Sequence, residues 1–144
     1  MMAIEGINYL AVLAAAVASF VFGAVWYGVL GKQWKAALGL SPEECKDKKM
    51  PVGLLVLTFV GQLVMAWVLA GVIGHMGEGQ VTIMNGLHAA FFAWLGFVAT
   101  SMIVNYAFQG RKRSLMAIDG AHWLIGLLIQ GAIIGAMGIG AAAA

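Results

Sequence analysis

Charge is what this sequence has least of. Of its 144 residues only 10% are Asp, Glu, Lys or Arg, 8 basic against 6 acidic. A soluble domain needs roughly 25% to wet its surface, so an ordinary water-soluble globule is excluded, as are a disordered chain and a basic nucleic-acid binder. A single cysteine excludes a disulfide framework, and Cys45 reads as a free surface thiol. The chain also has no Gly-rich phosphate loop, Cys-x-x-Cys pair, His-Glu-x-x-His or Gly-x-Ser-x-Gly. None of the common catalytic constellations is therefore present, and neither an enzyme, a cofactor nor a metal is expected.

What the chain does have is apolar length. Hydrophobic residues make up 62% of it, with 20 glycines, 9 methionines and 5 tryptophans, and the mean hydropathy is +0.94. A hydrocarbon layer about 30 Å thick is crossed by about 20 apolar residues of helix. Four uncharged stretches qualify: Tyr9 to Leu30, Val52 to Gly74, about Gly86 to Phe108 and about Gly120 to Gly140. Within lipid each must satisfy its backbone internally, which only a helix does over such a run. The predicted fold is all-α: one polytopic membrane domain of four transmembrane helices over residues 1–144. The first span resembles a signal sequence in its small residues Ala14 to Ser19, but no Lys or Arg precedes it and the apolar run continues, so it is expected to stay.

The basic residues fall in two places: Lys32, Lys35, Lys46, Lys48 and Lys49 between spans one and two, and Arg111, Lys112 and Arg113 between spans three and four. The positive-inside rule then predicts both basic loops in the cytoplasm and both termini outside. In the first loop, Gly31-Lys-Gln-Trp-Lys-Ala-Ala-Leu mixes Trp34, Leu38 and Leu40 with lysines as an interfacial segment does. Ser41-Pro-Glu-Glu reads as the start of a short cytoplasmic helix, with Ser41 as N-cap and Glu44 closing a capping box, ending near Lys48.

The halves resemble each other. Tyr27-x-x-x-Gly31-Lys32 ends span one and Tyr106-x-x-x-Gly110-Arg111 ends span three; Gln62 with Gly71-Val-Ile-Gly parallels His122 with Gly131-Ala-Ile-Ile-Gly. Two repeated helical hairpins about an axis along the membrane normal have this pattern.

Small residues form stripes: Ala11, Ala15, Ser19 and Gly23 in span one, Gly131 and Gly135 in span four. Such stripes let backbones approach closely, within the chain or between protomers, and a homo-oligomer or a membrane-complex partner is expected. Polar residues at depth are costly and mark pathways or interhelical contacts. Gln62, Ser101, Asn105, Asp119, His122 and Gln130 are the candidates, and His122, Gly126 and Gln130 continue at helical spacing toward the midplane. Asp119 has two readings: an N-cap for span four, or the partner of His122 at i+3 in a proton or ligand site. On the other side His75, Met76, Met84 and His88 gather, a weak copper pattern better read as packing. Trp26, Tyr27, Trp34 and Trp123 fall near the inner interface, where amphipathic rings settle.

Asn8-Tyr-Leu-Ala-Val-Leu, Gly23-Ala-Val-Trp-Tyr-Gly and Gly31-Lys-Gln-Trp, together with Asn105 and Ile118-Asp119-Gly-Ala-His122, resemble a family of short bacterial four-span proteins known as domain of unknown function 1761. The resemblance covers nearly the whole chain. It implies a prokaryotic inner-membrane protein with no assigned reaction, whose motif residues here are Asn8, Gly23, Trp26, Tyr27, Gly31, Trp34, Asn105, Asp119 and His122. Two functions fit these residues: an oligomeric permease or channel-like protein with a polar, cytoplasm-facing cavity, or a non-catalytic accessory subunit of a larger membrane complex.

Overall fold

The computed structural model describes residues 6–46, 49–77 and 79–140, and it is all-helical among them. Helix α1 spans Tyr9–Val29, α2 Gly31–Leu38, α3 Val52–Gly74, α4 Ile83–Phe108 and α5 Arg113–Met137. All but α2 are long and apolar enough to cross a membrane, and the protein is a multi-pass membrane protein. Its outward surface is apolar over most of its height, with Val52, Leu57, Phe92, Phe97 and Val104 all exposed, as a lipid-facing surface must be.

Helix α5 is the hub. It packs against α1, α3 and α4, while among the described residues the backbones of α1 and α4 do not come close to each other. The α4–α5 seam is built from glycine: a β-carbon on Gly131 would collide with the Gly86 carbonyl, one on Gly86 with the Gly131 carbonyl, and one on Gly135 with the Thr82 carbonyl. On the other flank Ala11, Ala15 and Ser19 are buried and Gly23 faces His122. Both small-residue stripes therefore pack inside the chain. In lipid that close contact is what holds helices together, since there is no apolar surface to remove from water.

Helix ends are satisfied locally. Asn8 Oδ1 accepts from Ala11 N at 3.1 Å, and its Nδ2 donates to Met137 O at 3.3 Å. One side chain thus caps the start of α1 and the end of α5. Gly39, at φ +81°, closes α2 with its own N–H on Ala36 O and the Leu40 N–H on Lys35 O, both at 3.1 Å, a left-handed stop.

Two sequence expectations shift. The short helix between spans one and two is α2, over Gly31–Leu38, and not the segment beginning at Ser41. There the capping box forms, Ser41 N to Glu44 Oε2 at 2.8 Å and Glu44 N to Ser41 Oγ at 3.3 Å, yet residues 42–45 are only turns. A cap worth about 1 kcal/mol does not offset helix nucleation in a segment with no apolar face to bury. Lys48 lies outside the described residues. Span four begins at Arg113 rather than near Gly120, because a helix end tolerates charges that reach back to the surface. Asp119 is therefore well inside α5, whose N-cap is Lys112, and the capping role does not apply to it.

The repeat is only partial. Gly31 opens α2, whereas Gly110, at φ +63°, closes α4. A β-carbon on Gly71 would meet nothing within 4 Å, while Gly131 abuts Gly86.

Candidate functional site

The polar candidates separate into two buried groups and an outward-facing pair. The first group surrounds Asp119 at the basic end of the bundle. Its Oδ1 accepts from Tyr27 OH at 2.7 Å and Trp34 Nε1 at 3.0 Å, and its Oδ2 from Tyr106 OH at 2.9 Å. The three donors come from α1, α2 and α4. The neighbouring carbonyls of α5 are held as well: Trp26 Nε1 donates to Ile118 O at 3.2 Å and Trp94 Nε1 to Gly120 O at 3.0 Å. Three successive residues of α5 thus each accept an indole N–H, from three different segments. These tryptophans do more than anchor the chain at an interface: they tie the rest of the bundle to one turn of α5.

Asp119 is 7% exposed, and every partner given above is neutral. Among the described residues it makes no ion pair. Two nearby cations are directed elsewhere, Lys112 Nζ to Ala36 O at 3.2 Å and Arg111 Nε to Gln109 Oε1 at 3.3 Å. Charge-assisted hydrogen bonds solvate the carboxylate without neutralising it.

His122 lies one helical turn along α5 and is not hydrogen-bonded to Asp119. Its ring stacks on Phe22, with centroids 6.0 Å apart and planes 7° off parallel, and meets Tyr27 at 4.9 Å and Trp123 at 4.8 Å. Gly23 makes room for it, since a β-carbon there would lie 2.8 Å from Nε2. Its Nδ1 is buried without a partner. The carbonyl one turn back, Ile118 O, already receives Trp26.

The second group lies at mid-bundle. Ser19 donates to Gln62 Oε1 at 2.9 Å or to Ala15 O at 2.9 Å, and Gln130 Nε2 reaches Ser19 Oγ at 2.9 Å and Gln62 Oε1 at 2.8 Å. This network joins α1, α3 and α5, and all three side chains are buried. Interhelical bonds of this kind are worth about 0.6–2 kcal/mol each in membranes, so Ser19 is a polar tie as well as part of a small-residue stripe. Gln62 pairs with Gln130 here, far along the bundle from its sequence counterpart His122.

Ser101 and Asn105 face outward, away from both groups. Ser101 Oγ bonds the Phe97 carbonyl one turn back, and both residues are exposed. The cause is a π-helical turn in α4 over Trp94–Ala99. Regular helix turns about 100° per residue, so Asn105, eleven residues past Trp94, would share its face while Tyr106 would lie about 120° away. Absorbing one residue in a π turn reverses this: Tyr106 comes round under Trp94 to reach Asp119, and Ser101 and Asn105 rotate outward. Neither Trp94 nor Tyr106 stood out in sequence as a site residue, although Tyr106 mirrors Tyr27 in the repeat.

At the opposite end His75, Met76, Met84 and His88 are exposed, and His75 Nδ1 lies 2.8 Å from its own Gly71 carbonyl. Among the described residues no three His, Cys, Asp or Glu side chains gather as metal ligands. Cys45 is a free, partly buried thiol.

No curated protein and no solved structure matches the chain. One family model does, that of a protein of unknown function (DUF1761), over residues 10–135. Four membrane-length helices and a match over most of the sequence place the chain in that family.

Proposed function

We propose that the protein is a small, non-enzymatic permease of a prokaryotic inner membrane, with its basic loops and the Asp119 site on the cytoplasmic side and both termini outside. The observation that carries this reading is Asp119: a buried carboxylate held by Tyr27, Trp34 and Tyr106, all neutral, with no ion-pair partner among the described residues. Ionisable groups are expensive within a membrane span and are kept there chiefly where a solute or proton passes. His122, unpartnered at Nδ1 and one turn deeper, extends the site toward the Ser19–Gln62–Gln130 network. Copies of the chain assemble through their exposed apolar faces.

Reconstituted vesicles test this by comparing solute or proton flux of the unaltered protein with Asp119→Asn and His122→Ala. Loss of flux in Asp119→Asn, with folding intact by circular dichroism, supports the permease; unchanged flux overturns it.

An accessory-subunit role has one observation of its own. Asn105 is presented on the outer face of α4 with no side-chain hydrogen bond among the described residues, as a residue awaiting a neighbouring chain is. Stoichiometric co-purification with a foreign membrane protein in mild detergent favours that role, and a homo-oligomer favours the permease.

A further inference from the structure

The two basic loops meet in space. Lys112 Nζ, in the turn between α4 and α5, donates to Ala36 O of α2 at 3.2 Å, 76 residues away in sequence. Lys35 precedes Ala36 and Lys32 lies one turn earlier in α2, while Arg111 and Arg113 flank Lys112. Five basic residues are thereby gathered at one end of the bundle. We propose that this patch is a docking surface for anionic phospholipid, taking the phosphates of negatively charged headgroups in the leaflet at that end.

Charge comes first. Lys112 and Arg111 are held by neutral groups, the Ala36 carbonyl and Gln109 Oε1, and among the described residues none of the five makes an ion pair. The buried carboxylate of Asp119 is taken up by Tyr27, Trp34 and Tyr106. The patch therefore keeps its charges. Four of the five residues are exposed, with Lys35 partly buried, so an anion reaches them without any opening of the bundle. Like charges this close repel one another, and each Lys or Arg at an anionic bilayer surface is attracted to it.

Placement along the spans selects the kind of anion. Phe108, 91% exposed, ends α4 three residues before Arg111, and Val29, 73% exposed, ends α1 three residues before Lys32. Both belong to the lipid-facing surface. Three residues of chain reach at most about 10 Å, so the cations stand just beyond the hydrocarbon edge, where headgroups lie. A soluble anion meets the cations alone, whereas a phospholipid meets both surfaces, its phosphate on Lys and Arg and its tails on Phe108 and Val29. Arg111 and Arg113 suit the phosphate best, since a guanidinium fork binds its oxygens in pairs. A zwitterionic headgroup brings an ammonium of its own, which the patch repels; an anionic one does not.

The test is thermal unfolding of the full-length protein in detergent with lipid added, because a ligand of the folded state alone raises the midpoint as its concentration rises. Phosphatidylglycerol is expected to raise the midpoint saturably, and phosphatidylcholine with the same acyl chains is not. Inorganic phosphate at the same concentration should also leave it in place. Arg111→Gln combined with Arg113→Gln should keep the lipid-free midpoint near the parent's and move half-saturation by phosphatidylglycerol roughly fivefold higher for each residue replaced. Lys46→Gln combined with Lys49→Gln removes the same charge from the loop beyond α2 and should move it much less. Equal shifts from the two pairs would mean that net charge, and not this patch, attracts the lipid, and the inference fails. It fails too if phosphatidylcholine matches phosphatidylglycerol, or if inorganic phosphate alone stabilises the protein as well. None of these outcomes depends on whether the protein carries a solute.

Discussion

Gly23 and His122 share one space: a β-carbon built on Gly23 lies 2.8 Å from His122 Nε2. The imidazole is also confined by Phe22, Tyr27 and Trp123, so it has little room to yield. Gly23→Ala is therefore expected to destabilise the protein by about 1–3 kcal/mol, the usual cost of overpacking. Thermal unfolding in detergent checks this, and adding His122→Ala should recover most of the loss. Equal destabilisation with and without His122 would mean that the two do not compete for volume.

The glycines differ in what surrounds them, and that difference predicts opposite responses to one substitution. At Gly131 the obstacle is the Gly86 backbone carbonyl, with Ala90 Cβ 3.0 Å away, while Gly61 has nothing within 4 Å. Backbone cannot rotate aside as a side chain can, so Gly131→Ala should cost more than about 3 kcal/mol, the upper end for ordinary overpacking. Gly61→Ala sits on the outward face of α3 and should stabilise the helix by about 0.5–1 kcal/mol through reduced backbone entropy. Unfolding midpoints of the two variants, measured in the same micelle, should fall on opposite sides of the parent.

The parts of this architecture legible in sequence were those set by the solvent. Apolar length located the four spans because lipid forbids alternatives, and Asn8, Gly23, Asp119 and His122 stood out as family-motif residues. The Ser41 capping box was legible too, but a local signal does not decide whether a helix grows from it. Asp119 looked like a cap because Gly120 follows it and apolar counting begins there; only the helix continuing back to Arg113 shows otherwise. The site itself was half legible. Tyr27 and Trp34 are legible as interfacial rings, but their hydrogen bonds to a carboxylate 92 and 85 residues away follow from packing. Tyr106 and Trp94 were hidden by the π turn, since reading a helix at 3.6 residues per turn puts Asn105 and Ser101 in their place.

That turn yields the last prediction. With Trp94–Ala99 in π geometry, the face bearing Trp94 also bears Tyr106, and deleting one residue there lets the segment relax to regular α-helix. Eleven steps of about 100° then separate the two, within about 20° of full turns, so both keep their hydrogen bonds to Gly120 O and Asp119 Oδ2. Gly96 is exposed and a β-carbon there would meet nothing within 4 Å; the one side-chain hydrogen bond it receives, from Thr100 Oγ1 to its carbonyl, can pass to the Leu95 carbonyl when Gly96 is deleted. The variant should fold with an unfolding midpoint close to the parent's. The matched deletion of exposed Val64 in α3, which has no π turn to absorb it, should rotate one part of that helix by about 100° against the rest. Gln62 and the buried pair Ala66 and Leu69 then cannot all face the core, and the protein should unfold or fail to accumulate. If the Gly96 deletion is as damaging as the Val64 deletion, the π turn is not what sets the register between Trp94 and Tyr106.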